Sequence, residues 1–277
     1  MNKTLIDWVR NPDGTQGYTW NPITGCLNHI NGMCKGGNFP CYAHRLAHGR
    51  LKNVYLANTI LPCHYEPNHI AHHLDPFYLR FWPERLQQGQ DFLFSSQWRR
   101  YTKPAGVFVC DMSDLFGDGV PEDWTEQVLQ VIRDASAHSS HRFYLLTKQP
   151  QNLAKFSPFP QNCWVGVTAT NTNYAVAACY ALQDIKAKVK YLSIEPLLAW
   201  VLSREGAESP ALYQELVDAG INWLIIGAQT KPYKPPKIEW VQEIVEAADK
   251  AGIPVFQKDN PKPLLGNNLR QELPIGS

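Results

Sequence analysis

The chain has 277 residues, 44% of them hydrophobic, with 26 Lys and Arg against 25 Asp and Glu. A net charge of +1 excludes the strongly basic footprint of a general duplex-binding protein, so any nucleic-acid contact has to be a local patch. No apolar run approaches the roughly 20 residues that cross a bilayer, and no membrane partner is expected. The first residues, MNKTLIDWVR, lack the apolar stretch of a secretory signal, which predicts a cytoplasmic location with reduced thiols.

The first distinctive stretch is CLNHINGMCKGGNFPCY at 26–42, which places Cys26, Cys34 and Cys41 in one short loop. A disulfide would pair two of them and leave one over, and a structural zinc site needs four protein ligands. Three thiolates fit a metal centre with one open position, such as a [4Fe–4S] cluster with one iron free for an outside ligand. The alternative is a zinc site with His29 or His44 as the fourth ligand.

Residues 52–105 come next and interrupt the pattern of the rest of the chain. They are rich in proline and histidine and predict an insertion or helical elaboration between the first two strands of the main sheet.

From residue 106 onward the sequence alternates strand and helix patterns. Strands are predicted over 106–110, 142–147, 163–168, 189–194, 222–226 and 254–257. Helices are predicted over 122–133, from 151, and over 172–183, 211–219 and 238–251. Strands that are apolar on both faces and alternate with helices indicate a parallel sheet with helices outside. The pattern therefore predicts an α/β fold that is TIM-barrel-like, a full or partial (βα)6–8 barrel, as one domain over 1–277 with an irregular tail at 259–277.

Polar residues follow several of these strands, where barrel enzymes carry their chemistry. The candidates are Met112, Ser113, Asp114, Lys148, Thr168, Asn171, Glu195 and Lys258. Glu195 stands directly between an apolar strand and a proline, which favours a ligand-binding or catalytic carboxylate. Lys148 and Lys258 are candidates for binding a carboxylate or phosphate, although lone lysines are weak signals. Asp114 has an alternative as the cap of a turn.

Eight segments spread along the chain carry a family resemblance: TWNPITGC (19–26), CYAHR (41–45), FVCDMSDLF (108–116), LLTKQPQNL (145–153), WVGVTATN (164–171), YLSIEPLL (191–198), NWLIIGAQT (222–230) and AGIPVFQK (251–258). With them the chain resembles the phage Gp37/Gp68-like three-cysteine family (DUF5131), related to the radical S-adenosylmethionine superfamily. One departure concerns the last two cysteines, because relatives space them C-x2-C whereas this chain has six residues between Cys34 and Cys41.

The resemblance implies a radical S-adenosylmethionine barrel in which Cys26, Cys34 and Cys41 ligate a [4Fe–4S] cluster. It implies reductive cleavage of S-adenosylmethionine to a 5′-deoxyadenosyl radical that abstracts hydrogen from a substrate, with a flavodoxin or ferredoxin type of electron donor. The cosubstrate contacts are expected from Phe39, Tyr42, Met112, Ser113, Asp114, Thr168, Asn171 and Glu195. Glu195, Lys148 and Lys258 are the expected catalytic residues.

The sequence does not identify the substrate, and a nucleobase or nucleoside is the favoured class because aromatic side chains can stack on bases. Two other functions stay open, a zinc-dependent barrel hydrolase and a non-catalytic Fe–S or zinc interaction module of a mobile-element or defence system. A hydrolase would place histidines at the strand ends, where this chain has Asp and Glu. We also expect residues 35–40 to bulge away so that Cys34 and Cys41 reach one centre.

Overall fold

The computed structural model describes residues 1–62, 69–94, 104–136, 140–201 and 212–274. Its contacts divide the chain into two compact units. Unit 1 consists of Met1–Leu5, Val9–Asn152 and Pro160–Cys163, and unit 2 consists of Ile6–Trp8, Leu153–Phe159 and Trp164–Ser277. Among the described residues, no helix combines the length and the apolar character that a membrane span requires.

Unit 1 is built on three parallel strands. Its elements in chain order are β1 (Asn2–Lys3), β2 (Tyr18–Trp20), β3 (Ile23–Thr24), β4 (His29–Ile30), β5 (Met33–Cys34), β6 (Phe39–Pro40), α1 (Tyr42–His48), α2 (Lys52–Leu56), α3 (His69–Leu74), β7 (Arg80–Phe81), α4 (Pro83–Phe94), β8 (Gly106–Val109), α5 (Glu122–Ser136) and β9 (Arg142–Thr147). The strands β2, β8 and β9 are parallel neighbours, and β1 pairs antiparallel with β2. The strands β4, β5 and β6 form a small antiparallel sheet, while β3 pairs with β7.

The sequence explains the main elements of unit 1. The strand β8 is buried at every position, as expected for a strand of a parallel sheet covered on both faces. The helix α5 buries Val128, Leu129 and Ile132, which recur at helical spacing. Glu122 and Asp123 lie in its first turn, where carboxylates interact favourably with the helix dipole.

Unit 2 contains four parallel strands. Its first strand is β10 (Cys163–Thr168), of which only Cys163 belongs to unit 1. The elements that follow in chain order are α6 (Thr172–Gln183), β11 (Val189–Ile194), α7 (Leu212–Asp218), β12 (Trp223–Ile226), β13 (Gln229–Thr230), β14 (Tyr233–Lys234), α8 (Ile238–Ala251), β15 (Val255–Gln257) and α9 (Lys262–Leu265). The strands β10, β11, β12 and β15 lie side by side in this order and run parallel. The short strands β13 and β14 form a hairpin.

The unit 2 sheet carries aromatic side chains on one face and smaller aliphatic ones on the other. Tyr191 pairs in register with Trp223, and both rings contact Trp8 from the N-terminal segment. The alternate positions Val167, Leu192 and Leu224 are also in register and fully buried. Both faces are therefore apolar, as the strand patterns predict.

The observed elements agree closely with the sequence pattern. The bounds of β9, β10, α6, β11 and α8 are as predicted, and the helix expected from residue 151 is a 3-10 helix at Pro150–Phe156. The described part of 52–105 consists of α2, α3, β7 and α4, which fits a helical elaboration. The mixed α/β class with mostly parallel strands is thus observed, whereas closure into a barrel stays a prediction.

Candidate functional site

The cysteine loop presents three free thiols from unit 1. Cys34 is buried at the end of β5, Cys41 is the N-cap residue of α1, and the backbone N–H of Cys26 donates to the carbonyl of Phe77 at 3.0 Å. Cys26 and Cys41 pack against a buried cluster formed by Ala43, Ala47, Tyr55, Phe77, Trp82 and Met112. The loop is therefore anchored on a hydrophobic base at the start of α1.

The three thiols share one electrostatic neighbourhood with Asp114. Burial, the largest cause, acts together with Asp114, Cys34 and Cys41 to raise the pKa of Cys26 to about 12, while the Asn28 N–H opposes the rise. Burial also raises the pKa of Cys34, while the nearby Lys148 ammonium opposes this rise. A metal must therefore displace protons from these thiols to bind, so that its affinity will increase with pH.

The thiols are not arranged around a single ion. Among the described ranges, no three Cys, His, Asp or Glu side chains converge closely enough to hold one metal ion. Three thiolates on one tetrahedral zinc ion, with bonds of about 2.3 Å, would lie only about 3.8 Å apart.

The residues between Cys34 and Cys41 form a hairpin instead of the predicted bulge. Cys34 pairs with Phe39 across β5 and β6, and the Asn38 N–H donates to the Cys34 carbonyl at 2.8 Å. The chain reverses because Gly37 and Asn38 adopt positive φ values of 142° and 55°. These two residues tolerate that conformation better than others, so the added length is absorbed in an ordered turn.

Lys148, at the end of β9, lies beside this hairpin. A Cβ atom at Gly36 would lie 3.3 Å from both Cβ and Cδ of Lys148 and 3.6 Å from the sulfur of Cys34. Because Gly36 has no side chain, the Lys148 chain can pass close to the turn. The Lys148 side chain thereby brings a positive charge next to Cys34. The sequence pattern had shown Lys148 only as a residue that follows a strand.

The loop after β8 is fastened to the segment before Cys26. The Asn21 side chain donates to Asp111 Oδ1 at 2.6 Å and accepts from the Met112 N–H at 3.0 Å. Gly25 donates its N–H to the Met112 carbonyl at 3.0 Å and accepts from the Ser113 hydroxyl at 2.6 Å. Met112 and Ser113 therefore position the cysteine loop, and their proposed contact with a cosubstrate stays a prediction.

Tyr42 contacts the same loop from the other side of the cysteines. Its hydroxyl donates to the backbone carbonyl of Asp111, and about half of the residue is exposed. Phe39 is half-buried in β6. These two aromatic residues flank Cys41 along the chain and keep part of their surface open to a ligand.

Asp114 is buried, with 7% of its surface exposed, and joins the ends of two strands. Its two carboxylate oxygens accept from the backbone N–H groups of Phe116 and Lys148, at 3.2 and 2.9 Å. Burial raises the pKa of Asp114, and these donors oppose the rise. The loop-capping role anticipated for Asp114 is thus present, beside its electrostatic contact with the thiols.

A second polar group lies in unit 2. The Lys258 ammonium is 2.5 Å from Glu195 Oε1 and 3.6 Å from Asp7 Oδ1, with only 15%, 21% and 12% of these side chains exposed. Burial lowers the pKa of Lys258, but Glu195 and Asp7 outweigh burial and the pKa is raised overall. Lys258 therefore stays protonated at neutral pH, so it serves as a cation and not as a base.

Asp7 is the residue of this group that the sequence pattern missed. Its carboxylate also accepts from the N–H of Asp259 at 2.8 Å and of Trp8 at 3.1 Å. The only signal in the sequence is one acid inside the apolar run LIDWV. No strand end or motif precedes it, so the pattern could not place Asp7 near residue 258.

Thr168 and Asn171 differ in how far the structure explains them. Asn171 is the N-cap of α6, and its side-chain oxygen accepts from the Tyr174 N–H at 3.0 Å, as an asparagine before a helix commonly does. The Thr168 hydroxyl, on a residue that is 6% exposed, has no hydrogen-bond partner in the part of the chain that the structure describes. No hydrogen bond within the described residues therefore accounts for the buried Thr168 hydroxyl.

Comparison with known protein families gives a match to a family described as a protein of unknown function, DUF5131, over residues 3–262. Comparisons with curated proteins and with solved structures gave no significant match. The relation to the radical S-adenosylmethionine superfamily therefore stays a prediction. Because the family match spans most of the chain, the protein belongs to the DUF5131 family.

Proposed function

We propose that the protein is a cytoplasmic radical S-adenosylmethionine enzyme in which Cys26, Cys34 and Cys41 hold a [4Fe–4S] cluster. The observation that carries the proposal is the meeting of three free thiols, presented by one short loop, in a single electrostatic neighbourhood. Three such thiols fit a [4Fe–4S] cluster in which one iron is left for an outside ligand.

The number and type of the candidate ligands favour a cluster over a zinc ion. Each thiolate of a [4Fe–4S] cluster binds a different iron, so the sulfurs lie further apart than around one ion. A zinc-dependent hydrolase would place histidines at the strand ends, where this chain has Asp and Glu. A zinc-dependent hydrolase is therefore the weaker candidate.

The residues around the thiols have separate tasks in this proposal. Asn21 and Ser113 fix the segment that carries Cys26, and preorganised ligands bind a metal with less loss of conformational freedom. Lys148 supplies a positive charge beside Cys34, which offsets the negative charge of the thiolates. When bound, a reduced cluster supplies the electron that cleaves S-adenosylmethionine, and a flavodoxin or ferredoxin type of protein is the proposed donor.

The proposed cosubstrate site includes the partly open rings of Phe39 and Tyr42. Both flank Cys41, so they are suited to cover a ligand of the cluster. The proposal keeps Met112, Ser113, Asp114, Thr168, Asn171 and Glu195 as further contacts, Lys148, Glu195 and Lys258 as catalytic residues, and a nucleobase or nucleoside as the substrate class.

The test begins with protein purified without oxygen, whose iron and sulfide content are measured. The protein is then incubated with dithionite and S-adenosylmethionine, and 5′-deoxyadenosine is quantified by mass spectrometry. We expect iron, sulfide and 5′-deoxyadenosine, and none of the three in the Cys41→Ser control. Zinc in place of iron would refute the cluster. A loaded cluster that releases no 5′-deoxyadenosine would instead point to the non-catalytic interaction module.

A further inference from the structure

One face of the unit 2 sheet becomes polar toward the carboxyl ends of its strands. Thr168 on β10 pairs in register with Ser193 on β11. The pairing of β11 with β12 continues past the strand end, because the Gly227 N–H donates to the Ile194 carbonyl at 3.1 Å. Side chains alternate along such a segment, so Glu195, two residues after Ser193, faces the same side as Thr168. A strand spacing of about 4.8 Å and a rise of about 3.3 Å per residue put their Cα atoms about 8 Å apart. One ligand of the size of a nucleobase can therefore touch both side chains.

Lys258 reaches this face across the neighbouring strand. A Cβ atom at Gly227 would lie 3.0 Å from Glu195 Cγ and 3.0 Å from Lys258 Cδ, so both side chains lie over the glycine. The missing side chain at Gly227 is what allows Lys258 to bond Glu195 at 2.5 Å. The three side chains of Thr168, Glu195 and Lys258 are called the strand-end group below.

The net charge of the groups around Lys258 disfavours an anionic ligand. The single Lys258 ammonium faces two carboxylates, Glu195 and Asp7, which leaves a net charge of −1. A phosphate or carboxylate would add a second negative charge to a poorly hydrated place, where Coulomb repulsion is strong. The expectation from the sequence that Lys258 binds a carboxylate or phosphate is therefore not favoured by its actual neighbours.

The strand-end group nevertheless keeps unused hydrogen-bonding capacity. Within the described residues, Glu195 bonds only Lys258, through Oε1, so its second oxygen can accept. The Lys258 ammonium has three donors, of which two face Glu195 and Asp7. The Thr168 hydroxyl is buried without a partner in the described ranges, and such an atom costs free energy until a ligand or water satisfies it.

We propose that the strand-end group binds the cyclic amide edge of a nucleobase. The ring N–H donates to Glu195 Oε2, and the adjacent ring carbonyl accepts from the third Lys258 donor. Uracil, thymine, guanine and hypoxanthine present this neutral edge, and a neutral polar group is less costly to bury than a charge. Thr168 then contacts a further polar atom of the base. The inference rests on the proposed function for the choice of nucleosides, and it assigns Thr168 and Glu195 to the substrate instead of the cosubstrate.

The test compares uridine with 3-methyluridine, in which a methyl group replaces the ring N–H. Both are titrated by calorimetry into the full chain purified without a cluster. We expect saturable binding of uridine and about tenfold weaker binding of 3-methyluridine, because one hydrogen bond to a charged acceptor is lost. Neither iron nor S-adenosylmethionine is needed, so this result and the 5′-deoxyadenosine assay can fail independently.

Two variants and a control locate the site. Thr168→Val keeps the side-chain shape and removes the hydroxyl, and Glu195→Gln removes the charge of the acceptor. Each should weaken uridine binding about tenfold at unchanged circular dichroism. Asp249→Asn, which breaks an exposed ion pair with Arg270 in the same unit, should leave binding unchanged. Equal binding of uridine and 3-methyluridine, no saturation by uridine, unchanged binding in both site variants, or tighter binding of putrescine would each overturn the proposal.

Discussion

At the scale of single residues, the sharpest expectation concerns the three loop cysteines. Replacing Cys26, Cys34 or Cys41 by alanine should abolish most of the bound iron and sulfide, because each thiolate is the only protein ligand of its iron. The measurement is metal content after purification without oxygen. Cys179→Ala is the matched control, since this cysteine is buried on α6 in unit 2 and should have no effect on iron. Full iron retention in all three loop variants would refute the ligand set.

The position of Lys148 leads to a second prediction about the same centre. Lys148→Met should shift the reduction potential of the cluster to more negative values, because a nearby positive charge favours the reduced state. A charge effect of about 1 kcal/mol corresponds to about 40 mV for one electron. Redox titration followed by electron paramagnetic resonance measures this shift. Lys148→Arg keeps the charge and should stay near the wild-type potential, whereas equal shifts in both variants would remove charge as the cause.

Gly227 offers a test of the ion pair between Lys258 and Glu195. Gly227→Ala should lower the free energy of unfolding by about 1–3 kcal/mol, because the added methyl crowds both side chains. Urea unfolding of single and combined variants measures the coupling. In a Glu195→Ala, Lys258→Ala background the crowding is relieved and the loss should be smaller. The same loss in both backgrounds would mean that backbone contacts, and not the pair, restrict this position.

Sequence reasoning was informative for some residues and silent for others. It singled out the cysteines as candidate ligands because three thiols in a short loop are uncommon in an ordinary core. It could not show that Ser113 donates to the Gly25 carbonyl, because that acceptor lies 88 residues away in the chain. The capping role of Asn171 was readable from its position before a helix, although it was not assigned. Asp7 was missed because its partners are distant in the chain.

At the scale of elements, the β5–β6 hairpin takes the place of the expected bulge, and this changes the expected effect of shortening the loop. Deleting residues 36–39 to restore the shorter spacing should abolish iron binding, because the deletion removes Phe39 and with it the strand partner that holds Cys34. The Phe39→Ala variant is the matched comparison. It should retain iron while binding S-adenosylmethionine more weakly, which calorimetry on the loaded protein measures. Iron in the deletion variant would show that the hairpin is only a spacer.

The start of β9 is tied to the start of β8 by a buried histidine, which makes the fold sensitive to acid. His141 Nδ1 accepts from the Ala105 N–H at 2.9 Å, and burial lowers the pKa of His141. An unfolded histidine titrates near about 6.5, so below that pH the unfolded chain takes up a proton that the folded chain refuses. The free energy of unfolding should therefore fall by up to about 1.4 kcal/mol per pH unit as the pH drops from about 6.5.

Urea unfolding at several pH values measures this dependence. His141→Gln should show a flatter profile because the titrating ring is absent, although its stability at neutral pH is lower. A wild-type profile that is flat from pH 7 to about pH 5 would contradict the assignment of this histidine.

The bounds of the elements were predictable from the sequence, because periodicity and Gly252, the positive-φ cap of α8, are local signals.

At the scale of the whole molecule, the alternation of apolar strands and amphipathic helices was enough to predict a mostly parallel α/β fold. The division into two units was not predictable, because it depends on which segments contact each other and not on local pattern. The segment Ile6–Trp8 is the clearest case, since it interrupts unit 1 and belongs to unit 2. Neither its length nor its composition marks that assignment.

This placement of Ile6–Trp8 has a consequence for synthesis on the ribosome. Asp7 accepts from the N–H of Asp259, 252 residues later, and Trp8 contacts Tyr191 and Trp223. At about 5–20 residues per second, the segment waits roughly 13–50 s before its last partner is made. Contacts of such long separation are slow to form, and unit 2 cannot reach its final packing before residue 259 has been made. The nascent protein must therefore keep Trp8 available until residue 259 has been synthesised.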